Sequence, residues 1–141
     1  MEIRIAKTPQ EIIDNLKIRE VVFIVGQNVP RDLELDGLDQ EATLIIAYKD
    51  NKPVGAGRYR LLNGYAKIER IAVLSEYRGL GVGKMIMDFI EETIKENTTI
   101  EIVKLNSQCS AADFYEKLNY VKKGEVFMDA GIEHIQMIKA I

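Results

Sequence analysis

Arg78-Gly79-Leu80-Gly81-Val82-Gly83-Lys84 lies between two segments of unlike periodicity. Before it, Ala66-Lys67-Ile68-Glu69-Arg70-Ile71-Ala72-Val73 alternates and reads as a strand. After it, Met85, Ile86, Phe89, Ile90 and Ile94 recur at helical spacing, with Asp88, Glu91, Glu92 and Lys95 mostly opposite. A glycine-rich turn therefore opens a helix directly after a strand. Glycine lets a ligand approach the backbone closely and permits φ > 0. The unpaired N–H groups of a first helical turn favour an anion. Arg78 adds a fixed positive charge beside them. The physical reading is a phosphate or pyrophosphate cradle.

Spacing narrows the kind of cradle. The dinucleotide fingerprint G-x-G-x-x-G, started at Gly79 and Gly81, would need glycine where Lys84 stands. The P-loop would need glycine where Arg78 stands and Ser or Thr where Met85 stands. These failed spacings disfavour a nucleotide-binding protein. The pattern that fits is R-x-x-G-x-G, carried by Arg78, Gly81 and Gly83.

Outward from the cradle, the chain supplies alternating elements. Residues 2–6 read as a strand. Thr8-Pro9 looks like a helix start, with an apolar side at Ile12, Ile13, Leu16 and Val21 over about 10–25. Residues 26–41 are irregular and acidic, with Asp32, Glu34, Asp36, Asp39 and Glu41 against Arg31 alone. They read as a solvated loop or short helix, or as an electronegative rim that attracts a cationic amine. A meander follows: strands at 42–48, 53–61 and 65–73, with Asn63-Gly64 as a hairpin turn. Gly55 and Gly57 inside the middle strand suggest a bulge or a close backbone approach. A helix over 81–96 leads to a strand over 99–105. Asn106-Ser107-Gln108 then leads into a short helix with capping-box spacing at Ser110 and Asp113. Strands at about 120–129 and 132–140 close the chain.

The bulk properties bound the function. The 141 residues fit one domain over 1–141, and an apolar fraction of 47% is ordinary for a globular chain. A net charge of −3 gives no basic field for nucleic acid. The single cysteine, Cys109, excludes an internal disulfide and fits a reducing cytoplasm. No apolar run is long enough to span a membrane. One His and one Cys offer no zinc ligand set, so no metal is expected.

The cradle resembles the pyrophosphate loop of the GNAT superfamily of acyl-CoA-dependent N-acyltransferases, whose pattern is Q/R-x-x-G-x-G/A. Ala112-Asp113-Phe114-Tyr115-Glu116-Lys117-Leu118-Asn119-Tyr120 resembles that family's F-Y-x-x-L-G-F element, with Asn119 for glycine and Tyr120 for phenylalanine. Arg70-Ile71-Ala72-Val73, the cradle, and Gly131-Ile132-Glu133-His134 together look like the subgroup of small bacterial members. The resemblance covers nearly the whole chain and is weakest over residues 8–41. It implies an α/β (α+β) fold with a mixed, mostly antiparallel central sheet and helices on both faces. The element order β-α-β-β-β-α-β-α-β-β agrees.

The resemblance also implies roles. Ile71, Ala72 and Val73 would pair their backbone with the pantetheine arm of acetyl-CoA. Arg78, Gly79, Leu80, Gly81, Val82, Gly83 and Lys84 would hold its pyrophosphate. The strands carrying Ile71 and Leu105 would splay, with the acyl group in the gap and Asn106 touching pantetheine. Tyr115 would reach the coenzyme sulfur. The implied reaction is direct transfer of acetyl to a primary amine, small or lysine-like, in a ternary complex. At pH 7 only about one lysine-like amine in two thousand is neutral, a penalty of roughly 4.6 kcal/mol. A base relieves it. Glu69, on the strand before the cradle, is the candidate base; an ion pair with Lys67 or Arg70 is the structural alternative. Tyr115 is the candidate acid for the departing thiolate. Cys109 reads as a small buried thiol and His134 as a structural histidine, an acceptor contact or a second base. The competing function is a module of the same fold that binds acyl-CoA without turnover. A strand-mediated homodimer is the assembly considered.

Overall fold

The computed structural model describes residues 1–141. The strands are β1 (Glu2–Ile5), β2 (Thr43–Lys49), β3 (Lys52–Leu62), β4 (Tyr65–Val73), β5 (Ile102–Gln108), β6 (Val121–Asp129) and β7 (Ile132–Ala140). The helices are α1 (Pro9–Arg19), α2 (Arg31–Glu34), α3 (Val82–Asn97) and α4 (Ala112–Glu116). The expected order is found, with one extra helical turn, α2, in the acidic segment. The seven strands form one sheet in the order β1-β2-β3-β4-β5-β7-β6. Every neighbouring pair is antiparallel except β4 and β5. No helix is long and apolar enough to cross a membrane.

Alternation along β2 shows how the two faces are filled. Ile45 and Ala47 belong to a cluster with Ile86, Met87, Ile90 and Ile94 of α3 and with Tyr115 and Leu118. Leu44, Ile46 and Tyr48 point the other way, into a cluster with Ile18 and Val22. Each fully buried Ile or Met of α3 contributes about 1.5–3 kcal/mol of transfer free energy. The close approach expected at the β3 glycines is real. A Cβ on Gly55 would lie 2.8 Å from Ile86 Cδ1, and one on Gly57 2.8 Å from Ile71 Cδ1.

The first helix begins as expected and faces otherwise. Thr8 Oγ1 accepts the Glu11 N–H at 3.2 Å, and Glu11 Oε1 accepts the Thr8 N–H at 3.0 Å, a reciprocal cap. The buried side, however, is Asp14, Asn15, Ile18, Arg19 and, further on, Val22, while Ile12, Ile13 and Val21 are exposed. Polar groups can be buried there because each finds a partner. Asn15 Nδ2 donates to the Ile45 and Gly57 carbonyls at 2.9 and 3.1 Å, tying the helix to the sheet. Asp14 accepts the Tyr48 hydroxyl at 2.6 Å. Beyond Arg19 the helix widens into a π-type turn over Glu20–Val25, with the Gly26 N–H bonded to the Val21 carbonyl.

Three other local expectations are corrected. Asn106, Ser107 and Gln108 belong to β5, because β7 pairs with them residue for residue, Asn106 with Gln136, Ser107 with Ile135 and Gln108 with His134. Glu91 of α3 is buried, not solvated; it accepts from the Tyr120 hydroxyl at 2.8 Å and from Lys139 Nζ at 2.7 Å. The α4 capping box does not form: the N-cap is Ala111, with no side-chain bond. Asn119 does take the left-handed conformation at φ 74° that lets the chain leave α4.

Candidate active site

The site is made by a defect in the sheet. β4 and β5 share only three rungs, Ala66 with Val103, Lys67 with Lys104 and Ile68 with Leu105. Past Ile68 the strands separate. The cause lies on the other edge of β4. Ala56 pairs with Ala72 and Arg58 with Glu69, so two β4 residues, Arg70 and Ile71, oppose Gly57 alone. Arg70 sits at φ 59°, in the left-handed region that disfavours a side chain. Such a backbone costs on the order of 1–3 kcal/mol and persists only where its surroundings hold it. Here the Arg70 guanidinium donates to the Leu33 and Glu34 carbonyls at 3.1 and 3.2 Å and pairs with the Glu34 carboxylate at 2.6 Å.

The separated strands open a cleft of about 590 Å³. Ile71, Ala72 and Val73 line one wall and Asn106, Ser107 and Gln108 the opposite one. The edge of β4 past Ile68 has no ladder partner from β5, so it can take an extended ligand as another strand. At one end lie Arg78, Gly79, Gly81, Val82, Gly83 and Lys84, the expected cradle. Leu80 does not line the cleft; its side chain is exposed. Gly79 and Gly81 stand at φ 78° and 83°, and Gly81 is the N-cap of α3. Gly83 is needed for another reason: a Cβ there would lie 3.1 Å from the Phe114 ring of α4. Arg78 Nε donates to the Val73 carbonyl at 3.0 Å, which ties its side chain to the end of β4. Lys84 pairs with Asp88 at 2.7 Å on the helix surface.

Tyr115 lines the same cleft from α4. Its ring is packed edge-on against Phe114 and Tyr120, at centroid distances of 4.9 and 5.9 Å. Burial pushes its phenol well above the ordinary value, with no charged neighbour contributing. The hydroxyl is a neutral donor throughout the physiological range.

Glu69 also lines the cleft but is heavily engaged. Arg60 Nε donates to it at 2.7 Å; Arg58 Nε lies 3.4 Å away and Lys67 Nζ 3.7 Å away. Burial pushes its carboxyl up, but Arg60, Arg58 and Lys67 outweigh that and hold it below the ordinary range. The ion-pair alternative is therefore realised, with Arg60 as the principal partner. Arg70 goes instead to Glu34 and Asp36.

The acidic segment is not a free rim. Arg19 and Arg58 are fully buried, and their partners come from it. Arg19 pairs with Glu34 at 2.9 Å and with Asp39 at 2.8 Å. Arg58 pairs with Asp36 at 2.7 Å and with Asp39 at 2.9 Å. Burial pushes Asp36 upward, yet Arg58, the Leu38 N–H and Arg70 hold it far below the usual carboxylate range. Three of the five acids thus neutralise buried arginines, and only Asp32 and Glu41 stay exposed without an ion pair. The cleft wall on this side is mostly apolar, with Val22, Phe23, Val29 and Leu33 beside Gln27 and the ion-paired Glu34.

Two further groups enter the cleft from distant sequence. Gln27 and Gln108 form a reciprocal amide pair at 2.7 and 3.3 Å, joining the segment after the first helix to the end of β5. His134 of β7 stands opposite Gln108 and lines the cleft. Its Nδ1 lies 2.7 Å from the Ile132 carbonyl, and its ring stacks on Phe127 at 5.8 Å. Nothing local in the sequence signals the Gln27 pairing, which spans 81 residues. Cys109 is half-buried in the turn after β5 and does not line the cleft.

Known proteins share this architecture. The family model described as an acetyltransferase (GNAT) domain matches residues 8–141. The uncharacterized N-acetyltransferase YjcF of Bacillus subtilis is 43% identical over 140 residues, covering 99% of both chains. The crystal structure of Escherichia coli ElaA superposes with a TM-score of 0.89 at 26% identity, covering 99% of both chains. A GNAT family acetyltransferase from Elizabethkingia anophelis, solved with acetyl-CoA bound, shares the fold at a TM-score of 0.74 and 17% identity, over 99% of this chain and 97% of that one. With the family model matching 8–141 and a relative 43% identical along the whole chain, the protein belongs to the GNAT acetyltransferase family.

Proposed function

We propose that the protein transfers the acetyl group of acetyl-CoA directly to a primary amine within a ternary complex. The observation that carries this reading is the continuity of the cleft. One run of surface joins the left-handed glycines of the cradle, the unpaired edge of β4 and the Tyr115 hydroxyl. Pyrophosphate takes the cradle through backbone N–H groups and Arg78. Pantetheine adds to β4 along Ile71, Ala72 and Val73 and meets Asn106 from the other wall. The amine attacks the thioester carbonyl, a backbone N–H near Ile71 stabilises the oxyanion, and the C–S bond breaks. Tyr115 donates its proton or a hydrogen bond to the departing thiolate.

The acceptor is a small-molecule or lysine-like primary amine whose body is apolar next to the nitrogen. Val22, Phe23, Val29 and Leu33 support this, and the engaged acids leave little field to attract a free cation. The expected kcat/KM is therefore nearly flat in ionic strength, unlike that of a cleft steered by bare carboxylates.

The test is thiol release from acetyl-CoA across a panel of benzylamine, phenethylamine, putrescine and an acetylated-lysine precursor peptide, with product masses measured. Amide product on the arylalkyl amines supports the reading. Tight acetyl-CoA binding with no amide from any amine favours the module that binds without turnover.

A further inference from the structure

We propose that His134 takes the proton from the attacking amine through Nε2. The inference rests on the acetyl-transfer reading above and deepens it. Its starting point is a missing base. Glu69 lines the cleft, but Arg60 donates to both of its oxygens, at 2.7 and 3.4 Å, and Arg58 stands at 3.4 Å from one of them. A carboxylate so surrounded is stabilised in its charged form and loses proton affinity.

His134 has the opposite situation. A carbonyl oxygen can only accept, so the 2.7 Å contact with Ile132 fixes the proton of the neutral ring on Nδ1. Nε2 is then the lone-pair nitrogen, and no protein group hydrogen-bonds it. The stack on Phe127 fixes the ring plane, and pairing with Gln108 places the residue at the cleft end of β5 and β7. That end lies beyond Asn106, on the side of the acceptor wall, and the Gln27–Gln108 amide pair borders it.

The charged and titratable groups around it are few. β5 brings only the Gln108 amide and β6 brings Phe127, with Asp129 at the strand's end also in the cleft wall. The turn after β5 holds Cys109 outside the lining, and α4 brings Tyr115. Across the cleft, Glu34, Glu69 and Arg70 are bound in ion pairs, and Arg78 and Lys84 lie in the cradle. In the step, Nε2 takes one proton of the ammonium, the freed nitrogen lone pair forms the C–N bond, and the C–S electrons leave on sulfur. Tyr115 protonates the thiolate and is reprotonated by the second proton that the nitrogen loses on becoming an amide, while the imidazolium returns the first to solvent. The products are an amide and a free thiol.

The experiment compares wild type with His134→Gln and with His134→Asn, whose amide can keep the Ile132 bond. Benzylamine is the acceptor, and trifluoroethylamine serves as an amine already neutral at pH 7. The expected result is a loss in kcat/KM of about a hundredfold or more for benzylamine, the scale of acid–base assistance. The loss is much smaller for the neutral amine. Acetyl-CoA still raises the melting temperature of both variants as in wild type.

His134 is the only histidine. If either variant misfolds, carbethoxylation of the folded wild type serves in its place, with inactivation at one histidine reversed by hydroxylamine. Activity within threefold of wild type, an equal loss with both amines, or the same benzylamine-selective loss in Glu69→Gln instead overturns the proposal. A wild type that acetylates no amine refutes the transfer reading itself, and the base with it.

Discussion

Tyr115 spends its ring on packing and keeps its hydroxyl for the cleft. Tyr115→Phe preserves both edge-to-face contacts, so acetyl-CoA should still raise the melting temperature by the wild-type amount. The expected change is in kcat, down about tenfold to thousandfold, because the thiolate loses its donor. An unchanged kcat, with chemistry shown to limit the rate, would return the tyrosine to the core. Glu69 predicts the reverse split. In Glu69→Gln, Arg58 and Arg60 lose their shared counter-charge within a buried cluster. The expected loss is in stability, read as a lower urea midpoint, with kcat on benzylamine falling far less than in His134→Gln. The residue types at these positions were readable in the sequence; their duties were not. A glutamate on a strand before a cradle looks the same whether or not two arginines arrive from the neighbouring strand.

The elements that were legible are those whose signals are local. The glycine-rich turn into α3, the Asn63-Gly64 turn and the Thr8–Glu11 cap each depend on a few adjacent residues, and each forms. The first helix turns inward a face that its apolar periodicity does not mark, because that face is polar. Asp14, Asn15 and Arg19 are tolerable inside only because partners 34, 30, 42 and 20 residues away meet them. Hydrophobic periodicity cannot see those partners and points Ile12 and Ile13 inward, where the fold leaves them exposed. The end of β5 departs from its local signal for a related reason: Asn-Ser-Gln has turn chemistry, and pairing with β7 overrides it. At the cradle the two glycine types can be told apart by experiment. Gly81→Val forces a β-branched residue to φ 83° at the helix N-cap and narrows the anion seat. Gly83→Val pushes into Phe114 instead. Both should destabilise, but the rise in melting temperature with coenzyme A should shrink most in Gly81→Val and in Arg78→Ala. Equal rises in wild type, Gly81→Val and Arg78→Ala would remove the cradle from the site.

Across the whole molecule, one lattice of ion pairs holds the cleft's walls in place. Arg19 comes from the first helix, Arg58 from β3 and Arg70 from the bulge in β4, and Glu34, Asp36 and Asp39 come to all three from the segment around α2. The segment is acidic because it must satisfy buried guanidinium groups, which explains why it carries charge without offering a rim. Burial raises the carboxyls of Asp36, Asp39 and Glu69, yet their arginine partners hold all three below the ordinary value. In the folded chain they bind protons less readily than in the unfolded chain. Their contribution to stability is thus complete above the unfolded value near pH ~4 and is lost as pH falls through the lower folded values. The urea midpoint should stay level from neutral pH to about 5 and fall steadily below about 4. Arg58→Leu tests the assignment. Removing this fully buried guanidinium should lower the urea midpoint at neutral pH, because Asp36, Asp39 and Glu69 each lose one of the cations that face them. Those acids would then sit nearer their unfolded values, so the variant's acid slope should be shallower than wild type. Parallel slopes in the two proteins would place the source of acid sensitivity outside this lattice.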